Sequence, residues 1–233
     1  MTDLLDGSLG KEDDYLKANI ACINPKHLHA TLVSSAGSHC EVWRSSKRNA
    51  SIAETSPYLE FVLKYPRGNH SSAEIAVLAN HYRQLKTELE DVIPEAVFFI
   101  TNIDEQANVC VIAEAVNIWF DIGNPQNRDE ATELLKIHRK PRNQLRRFLN
   151  AAKEWRNSGN PRLIDLFGVN NLVMDTNREI RYLDSFFVFF FEDMLDLLHE
   201  PDSDLENNIN RSIERLIYLE EILEQADEFN RNL

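Results

Sequence analysis

Acidic and amide side chains are grouped in one segment of the chain, residues 164–186. Asp165 is followed by the neighbouring amides Asn170 and Asn171, and Asp184 comes after a stretch that is typical of a short hairpin. Carboxylate and amide oxygens are ligands that magnesium accepts, and a further carboxylate can orient an attacking hydroxyl group. Phosphoryl transfer needs little more than these parts, so the segment indicates that chemistry.

The order of these residues resembles the catalytic segment of the protein-kinase-like superfamily. That segment reads D-x-x-x-x-N, then an apolar strand, then a metal-binding Asp. The resemblance implies that Asp165 orients the substrate hydroxyl and that Asp184 binds magnesium. The amide ligand is Asn170 by spacing or Asn171 by its place directly before the apolar run LVM, and Asn171 is preferred.

Further motifs of the same superfamily are matched in the N-terminal half of the chain, in the family order. LVSSAGSHCEVWR resembles the glycine-rich loop, with Gly37 at its middle glycine and Val42 at the valine that packs under adenine. EFVLKYP resembles the third strand, which makes Lys64 the residue for the α- and β-phosphates. Glu74, in the helix that follows, would be its ion-pair partner. The resemblance therefore implies that the chain binds ATP with magnesium.

The rest of the resemblance concerns the adenine-binding segment and the layout beyond the second acidic residue. IPEAVFFI and VCVIAEAV resemble the next two strands, after which the backbone groups of Glu114 and Val116 would bind adenine. Beyond Asp184 the chain lacks the long activation segment and the A-P-E motif of protein kinases. It is closer to the compact layout of aminoglycoside phosphotransferases and choline kinases, in which Asp196 matches the helix Asp that braces the catalytic loop.

Three departures from the family pattern keep other interpretations open. Ser35 and Cys40 replace the outer glycines of the loop, Leu163 and Ile164 stand where the family has His-Arg or His-Gly, and Ser185 follows the metal-binding Asp. Such losses are typical of a pseudokinase, a catalytically weak or inactive module that binds other proteins. A compact protein kinase and an unrelated α+β binding protein are the remaining alternatives.

The hydrophobic pattern predicts an α+β, protein-kinase-like fold with two lobes. Residues 29–116 contain five strand-like apolar runs with one helix after the third, which predicts a five-stranded antiparallel N-lobe. Residues 117–233 are mainly helical with a short hairpin around TNR, which predicts a compact C-lobe. Residues 1–28 are polar and acidic and predict an N-terminal tail.

The composition bears on the partners and the compartment. A formal net charge of −13 disfavours nucleic acid and anionic membranes as partners. It favours a cationic hydroxyl-bearing substrate, either a small molecule or a protein. No apolar run approaches the roughly 20 residues that a bilayer requires, no signal-peptide pattern is present, and the three cysteines are widely separated. A cytoplasmic protein is expected, with secretion as an effector as the alternative.

Two clusters of one residue type have both a structural and a functional interpretation. Residues 136–147 contain six lysines and arginines, which predict either a solvated helix face or a site for an acidic or phosphorylated partner. Phe186–Phe191 contains five phenylalanines, which predict either core packing or a surface for a protein partner.

Overall fold

The structure is a computed structural model, and it describes residues 30–34, 40–45, 60–68, 70–103, 106–184, 186–191 and 202–232. The predicted tail, the loop glycine Gly37 and Asp196 lie outside the described residues.

The described chain is a mixed α+β structure with antiparallel sheets, as predicted, and it divides into two compact units. The first contains the described residues up to Asn80 together with Glu95–Ala115. The second contains His81–Pro94 and the described residues from Val116 onward. The lobe boundaries at 28/29 and 116/117 stay predictions.

The first unit contains the predicted five-stranded antiparallel sheet. Its strands are β1 (Ala30–Ser34), β2 (Cys40–Ser45), β3 (Phe61–Pro66), β4 (Ala96–Ile103) and β5 (Gln106–Glu114). They are ordered β1-β2-β3-β5-β4, and all neighbours are antiparallel. Valine, isoleucine and phenylalanine are frequent in these runs, and such residues favour the pleated backbone.

One row of directly paired residues crosses four strands of this sheet. Phe98 pairs with Val111, Val111 with Lys64, and Lys64 with Val42. Directly paired residues share a face of the sheet, so Lys64 lies in an otherwise apolar row. Lys64 is only 8% exposed, and Phe98 and Val111 are buried as well. The lysine therefore belongs to the buried face of the sheet and not to its solvated edge.

A single helix, α1 (Ser72–Leu89), follows the third strand, as predicted. Ser71 and Glu74 form a reciprocal capping box at its start. The Glu74 N–H donates to the Ser71 hydroxyl at 3.3 Å, and the Glu74 carboxylate accepts from the Ser71 N–H and hydroxyl, both at 2.8 Å. A single 3₁₀ turn, Glu90–Val92, continues the helix. The apolar positions that predicted the helix are all buried, namely Ile75, Leu78, Tyr82, Leu85 and Leu89.

Five short strands form two small sheets in the second unit. Strands β6 (Ile118–Phe120), β8 (Leu172–Asp175) and β9 (Ile180–Tyr182) make an antiparallel sheet ordered β6-β8-β9. Strands β7 (Leu163–Ile164) and β10 (Phe189–Phe190) pair with each other. The β8–β9 hairpin was predicted, whereas β6 lies in a segment whose turn-rich sequence did not predict a strand.

Three helices complete the described part of the second unit, namely α2 (Arg128–Ile137), α3 (Arg139–Arg156) and α4 (Ser203–Arg231). Helix α4 packs against both α2 and α3. Helix α4 carries an apolar stripe at helical spacing that belongs to the core, because Ile209, Leu216, Leu219 and Leu223 are all buried. None of the helices within the described ranges combines the length and the apolar character that a bilayer crossing would require.

The basic segment 136–147 is mostly an ion-paired helix surface. Five of its six cationic side chains lie within ion-pair distance of carboxylates: Lys136 with Glu133, Lys140 with Asp91 and Glu179, Arg142 and Arg146 with Asp227, and Arg147 with Glu90 and Asp91. Surface pairs of this kind contribute little individually. They do explain the basic cluster without an acidic partner.

The phenylalanine cluster is divided between core and surface. Phe186 and Phe189 are buried, and the Phe189 ring makes edge contacts with Trp155 at 5.1 Å and with His81 at 5.4 Å between centroids. Phe187 is 39% exposed. A protein partner at this cluster stays a prediction, and Phe187 is the side chain that such a partner could reach.

Candidate active site

The segment that predicted phosphoryl-transfer chemistry forms a loop between β7 and β8. Asp165 follows β7 directly, and its N–H donates to the Val188 carbonyl at 2.8 Å. Its carboxylate Oδ1 accepts the N–H of Phe167 at 2.7 Å, which tightens the chain at the start of the loop. Asp165 is 5% exposed, so this carboxyl group is buried.

Two polar side chains of helix α4 hold the loop. Arg215 Nη1 donates to three successive carbonyls, those of Leu166, Phe167 at 3.0 Å and Gly168 at 2.7 Å. Ser212, which is fully buried, accepts the Leu166 N–H on its Oγ at 3.1 Å. The loop backbone is therefore bonded through both its carbonyls and an N–H to one rigid helix.

Sequence reasoning did not identify Arg215 or Ser212. It assigned the bracing role to Asp196, which lies outside the described residues. A signal was present, because Ser212 falls at helical spacing between the stripe residues Ile209 and Leu216. A small polar residue at a core position of a helix indicates a buried hydrogen bond.

The hairpin β8–β9 brings Asn171 and Asp184 to the same loop. The Leu183 N–H donates to the Asn171 carbonyl at 2.8 Å, so Asn171 and Asp184 flank one end of the hairpin. Asn171 Nδ2 donates to the Asp165 carbonyl at 3.3 Å, and the Tyr182 hydroxyl donates to the same oxygen at 2.9 Å. Asp165, Asn171 and Asp184, which lie up to 19 positions apart in the sequence, are thus neighbours.

The two adjacent amides occupy different positions. Asn170 is exposed and has a φ of 62°, a left-handed conformation that asparagine tolerates. Asn171 is half-buried and packs so closely on Gly168 that a Cβ at that glycine would collide with the Asn171 side chain. Asn171 is therefore the amide that faces the interior of the loop, although its role as a metal ligand stays a prediction.

The electrostatics of this group are unusual for a buried carboxyl. Burial, and after it the negative charge of Asp184, raise the pKa of Asp165 to about 7, while the Phe167 N–H, Arg215 and the Gly168 N–H act in the opposite direction. Burial and the two carboxylates also raise the pKa of Tyr182. Asp165 is buried, Asp184 is half-buried and the two carboxylates repel each other, so a divalent cation would stabilise this pair.

The donor set is small. Within the described ranges, no three or more His, Cys, Asp or Glu side chains are grouped so that they could hold a metal ion. The arrangement fits magnesium, which in proteins is often bound by one or two carboxylates and completes its shell with water and substrate phosphates.

The predicted nucleotide-binding residues of the first unit are partly brought together. Lys64 and Val42 are direct cross-strand partners. Glu74 is exposed in the capping box, and hydrogen bonds from Ser71 lower the pKa of its carboxyl group. Its pairing with Lys64 stays a prediction. Gly37 lies outside the described residues.

Glu114 is the last residue of β5, and Val116 lies two residues beyond it. The Glu114 N–H donates to the Glu95 carbonyl at 2.8 Å, so this donor is already used. Among the described residues, Val116 makes no backbone hydrogen bond. The adenine contact therefore remains a prediction that is easier to reconcile with Val116 than with the Glu114 N–H.

Comparison with known proteins adds no further constraint. A scan against models of protein families finds no match, and a search of curated proteins finds none either. The function has to be inferred from the residues themselves.

Proposed function

We propose that the chain is a kinase-like phosphotransferase that uses ATP and magnesium to phosphorylate a hydroxyl group. The observation that carries this proposal is the buried Asp165, on a loop whose backbone is bonded to helix α4, with the carboxylate of Asp184 beside it. Folding alone does not favour such a pair, because burial and like charge both disfavour the ionised form. Buried groups with strongly shifted pKa values are concentrated at functional sites.

Asp165 is the proposed residue that accepts the proton of the substrate hydroxyl. A general base works best when its pKa lies near the working pH, and burial, the largest cause, raises the pKa of Asp165 towards that range. Its Oδ1 is held by the Phe167 N–H, which fixes the direction of the carboxylate. The loop therefore orients the carboxylate before any substrate binds.

Asp184 and Asn171 are the proposed magnesium ligands, and Lys64 is the proposed phosphate ligand. Bound magnesium would neutralise the charge of the nucleotide phosphates and of Asp184. Lys64 supports the assignment because it is a buried ammonium group in an apolar row of the sheet.

Magnesium-dependent nucleotide binding tests the proposal directly. Isothermal titration of the full chain with a nonhydrolysable ATP analogue should show binding that requires magnesium. Asp184→Asn should weaken that binding by about tenfold or more, since one charged ligand is lost from the cation. Asp129→Asn, an exposed change at the start of α2, should bind as the wild type does. Equal binding by Asp184→Asn and wild type would contradict the proposal.

A catalytically inactive, protein-binding module is the second candidate. It is favoured by Glu74, whose carboxylate is bonded to Ser71 at the helix start. ADP release from ATP separates the two candidates. Turnover that is lost in Asp165→Asn supports the phosphotransferase, and nucleotide binding without any turnover supports the inactive module.

A further inference from the structure

One arginine of helix α4 lies beside the candidate catalytic loop. Arg211 of helix α4 is exposed, and no ion pair links it to a carboxylate in the part of the chain that the structure describes. Its guanidinium carbon lies 5.5 Å from the centroid of the Phe167 ring. Phe167 is also the residue whose N–H binds the Asp165 carboxylate. Arg211 is therefore placed next to the loop that carries the proposed base.

Three other arginines on the helices of the second unit make ion pairs. Arg128, Arg146 and Arg147 each make an ion pair of 2.6–2.7 Å with a glutamate or aspartate. The chain has 38 acidic residues against 25 lysines and arginines, so carboxylate partners are abundant. Arg128 makes its ion pair while its guanidinium also lies over the Tyr218 ring, so an arginine stacked on a ring, as Arg211 is, keeps N–H groups available for a planar anion.

The helix geometry directs Arg211 and Arg215 to the same loop. The two residues are four positions apart, so they lie on one face of α4. Arg215 donates to the loop carbonyls, whereas Arg211 contacts the Phe167 ring at the surface. Val169, at the tip of the loop, is 76% exposed, so a small molecule can approach this side of the loop.

We propose that the acceptor substrate is an alcohol that carries an anionic group, a phosphate or a carboxylate, which Arg211 binds. This inference rests on the proposed phosphotransferase function and names the substrate class of the same site. The substrate oxygen bonds to the γ-phosphorus of ATP while its proton passes to Asp165. The bond from that phosphorus to the β–γ bridging oxygen breaks, and ADP leaves. The overall negative charge of the chain favours a cationic substrate, whereas the exposed Arg211 favours an anionic group at this position.

Side-chain NMR of the full chain tests the anion site without requiring turnover. Glycerol 3-phosphate and glycerate are the anionic probes, and glycerol and choline are the neutral and cationic probes. The Nε–Hε signal of Arg211 should shift saturably with an anionic probe and not with glycerol or choline. A response to only one anion identifies phosphate or carboxylate as the preferred group. The absence of a saturable shift with both anions, or an equal shift of the exposed Arg139 signal, overturns the inference.

Turnover gives the second measurement. Arg211→Gln should lower kcat/KM for the anionic alcohol that shifts Arg211 by about tenfold or more, while the affinity for magnesium and ATP stays within about twofold. Arg139→Gln, at the exposed start of α3, is the matched control and should leave both unchanged. A preference for glycerol or choline as acceptor overturns the inference but leaves the phosphotransferase function intact. Failure to bind ATP with magnesium, with Arg211 still responding to anions, overturns the proposed function alone.

Discussion

Two buried aspartates lie at opposite ends of the β8–β9 region, and their surroundings differ in charge. Asp175 is 4% exposed and Asp165 is 5% exposed. Asp175 pairs with Arg181 at 3.2 Å, and its Oδ1 accepts the N–H groups of Asn177 and Glu179 at 2.8 and 3.0 Å. Asp165 lies beside another carboxylate, that of Asp184. Equal burial therefore has different consequences: Asp175 is paired with Arg181, whereas burial and the charge of Asp184 raise the pKa of Asp165 in spite of its bond from the Phe167 N–H.

The largest effect on stability is predicted for substitution of Asp175, the aspartate that is paired with an arginine. Asp175→Ala should lower the free energy of unfolding by about 3–5 kcal/mol, because it removes the buried carboxylate that pairs with Arg181 and accepts two backbone N–H groups. Urea denaturation at pH 7 measures the change. The exposed Asp129→Ala is the control and should cost less than about 1 kcal/mol. A loss at Asp175 no larger than that of the control would show that the pairing does not matter for stability.

Substitution of Asp165 is expected to raise the free energy of unfolding, whereas substitution of Asp175 lowers it. Its pKa of about 7 in the folded state lies above the ordinary value of 3.8, so the folded state holds the proton more tightly than the unfolded state. The stability that this proton confers is complete below pH 3.8 and is lost as the pH rises to about 7. Asp165→Asn keeps an oxygen for the Phe167 N–H and has no charge to bury. It should therefore stabilise the fold at pH 8 by about 1–3 kcal/mol.

The pH dependence supplies the control for that prediction. Denaturation at pH 8 and at pH 5 should show a smaller advantage of Asp165→Asn at pH 5, where more of the wild-type carboxyl group is protonated. If Asp165→Asn destabilises the fold at pH 8, Asp165 is a structural residue of the same kind as Asp175, and the contrast between them disappears.

The regular elements could be predicted because their side chains follow a clear period. The five buried positions of α1 recur at helical spacing, and the strands of the five-stranded sheet are apolar runs separated by turn residues. Strand β6 was missed because it has three residues, of which Ile118 and Trp119 are exposed. Such a short strand is specified by its pairing with β8 and not by its own sequence.

The grouping of Asp165, Asn171 and Asp184 followed from spacing, since a hairpin returns the chain to the loop from which it started. What holds the loop could not be read in the same way. Arg215 reaches the Phe167 carbonyl across 48 positions of sequence, and the contact depends on how α4 packs. The shifted pKa of Asp165 likewise depends on burial, which appears only when the chain is folded.

The smallest predicted effect concerns Arg215, which bonds to the carbonyls of the loop that carries Asp165. Arg215→Met removes hydrogen bonds to the Leu166, Phe167 and Gly168 carbonyls, and should cost about 1.5 kcal/mol because the exposed side of the loop lets water replace part of them. Hydrogen exchange should accelerate at the loop amides 166–170 and stay unchanged in the β8–β9 ladder. Arg181→Met is the matched control, since Arg181 also contacts a backbone carbonyl, that of Asp91 at 2.7 Å, but additionally neutralises Asp175. Arg181→Met should destabilise the whole second unit. If both variants accelerate hydrogen exchange equally throughout that unit, Arg215 stabilises the fold as a whole and not the loop in particular.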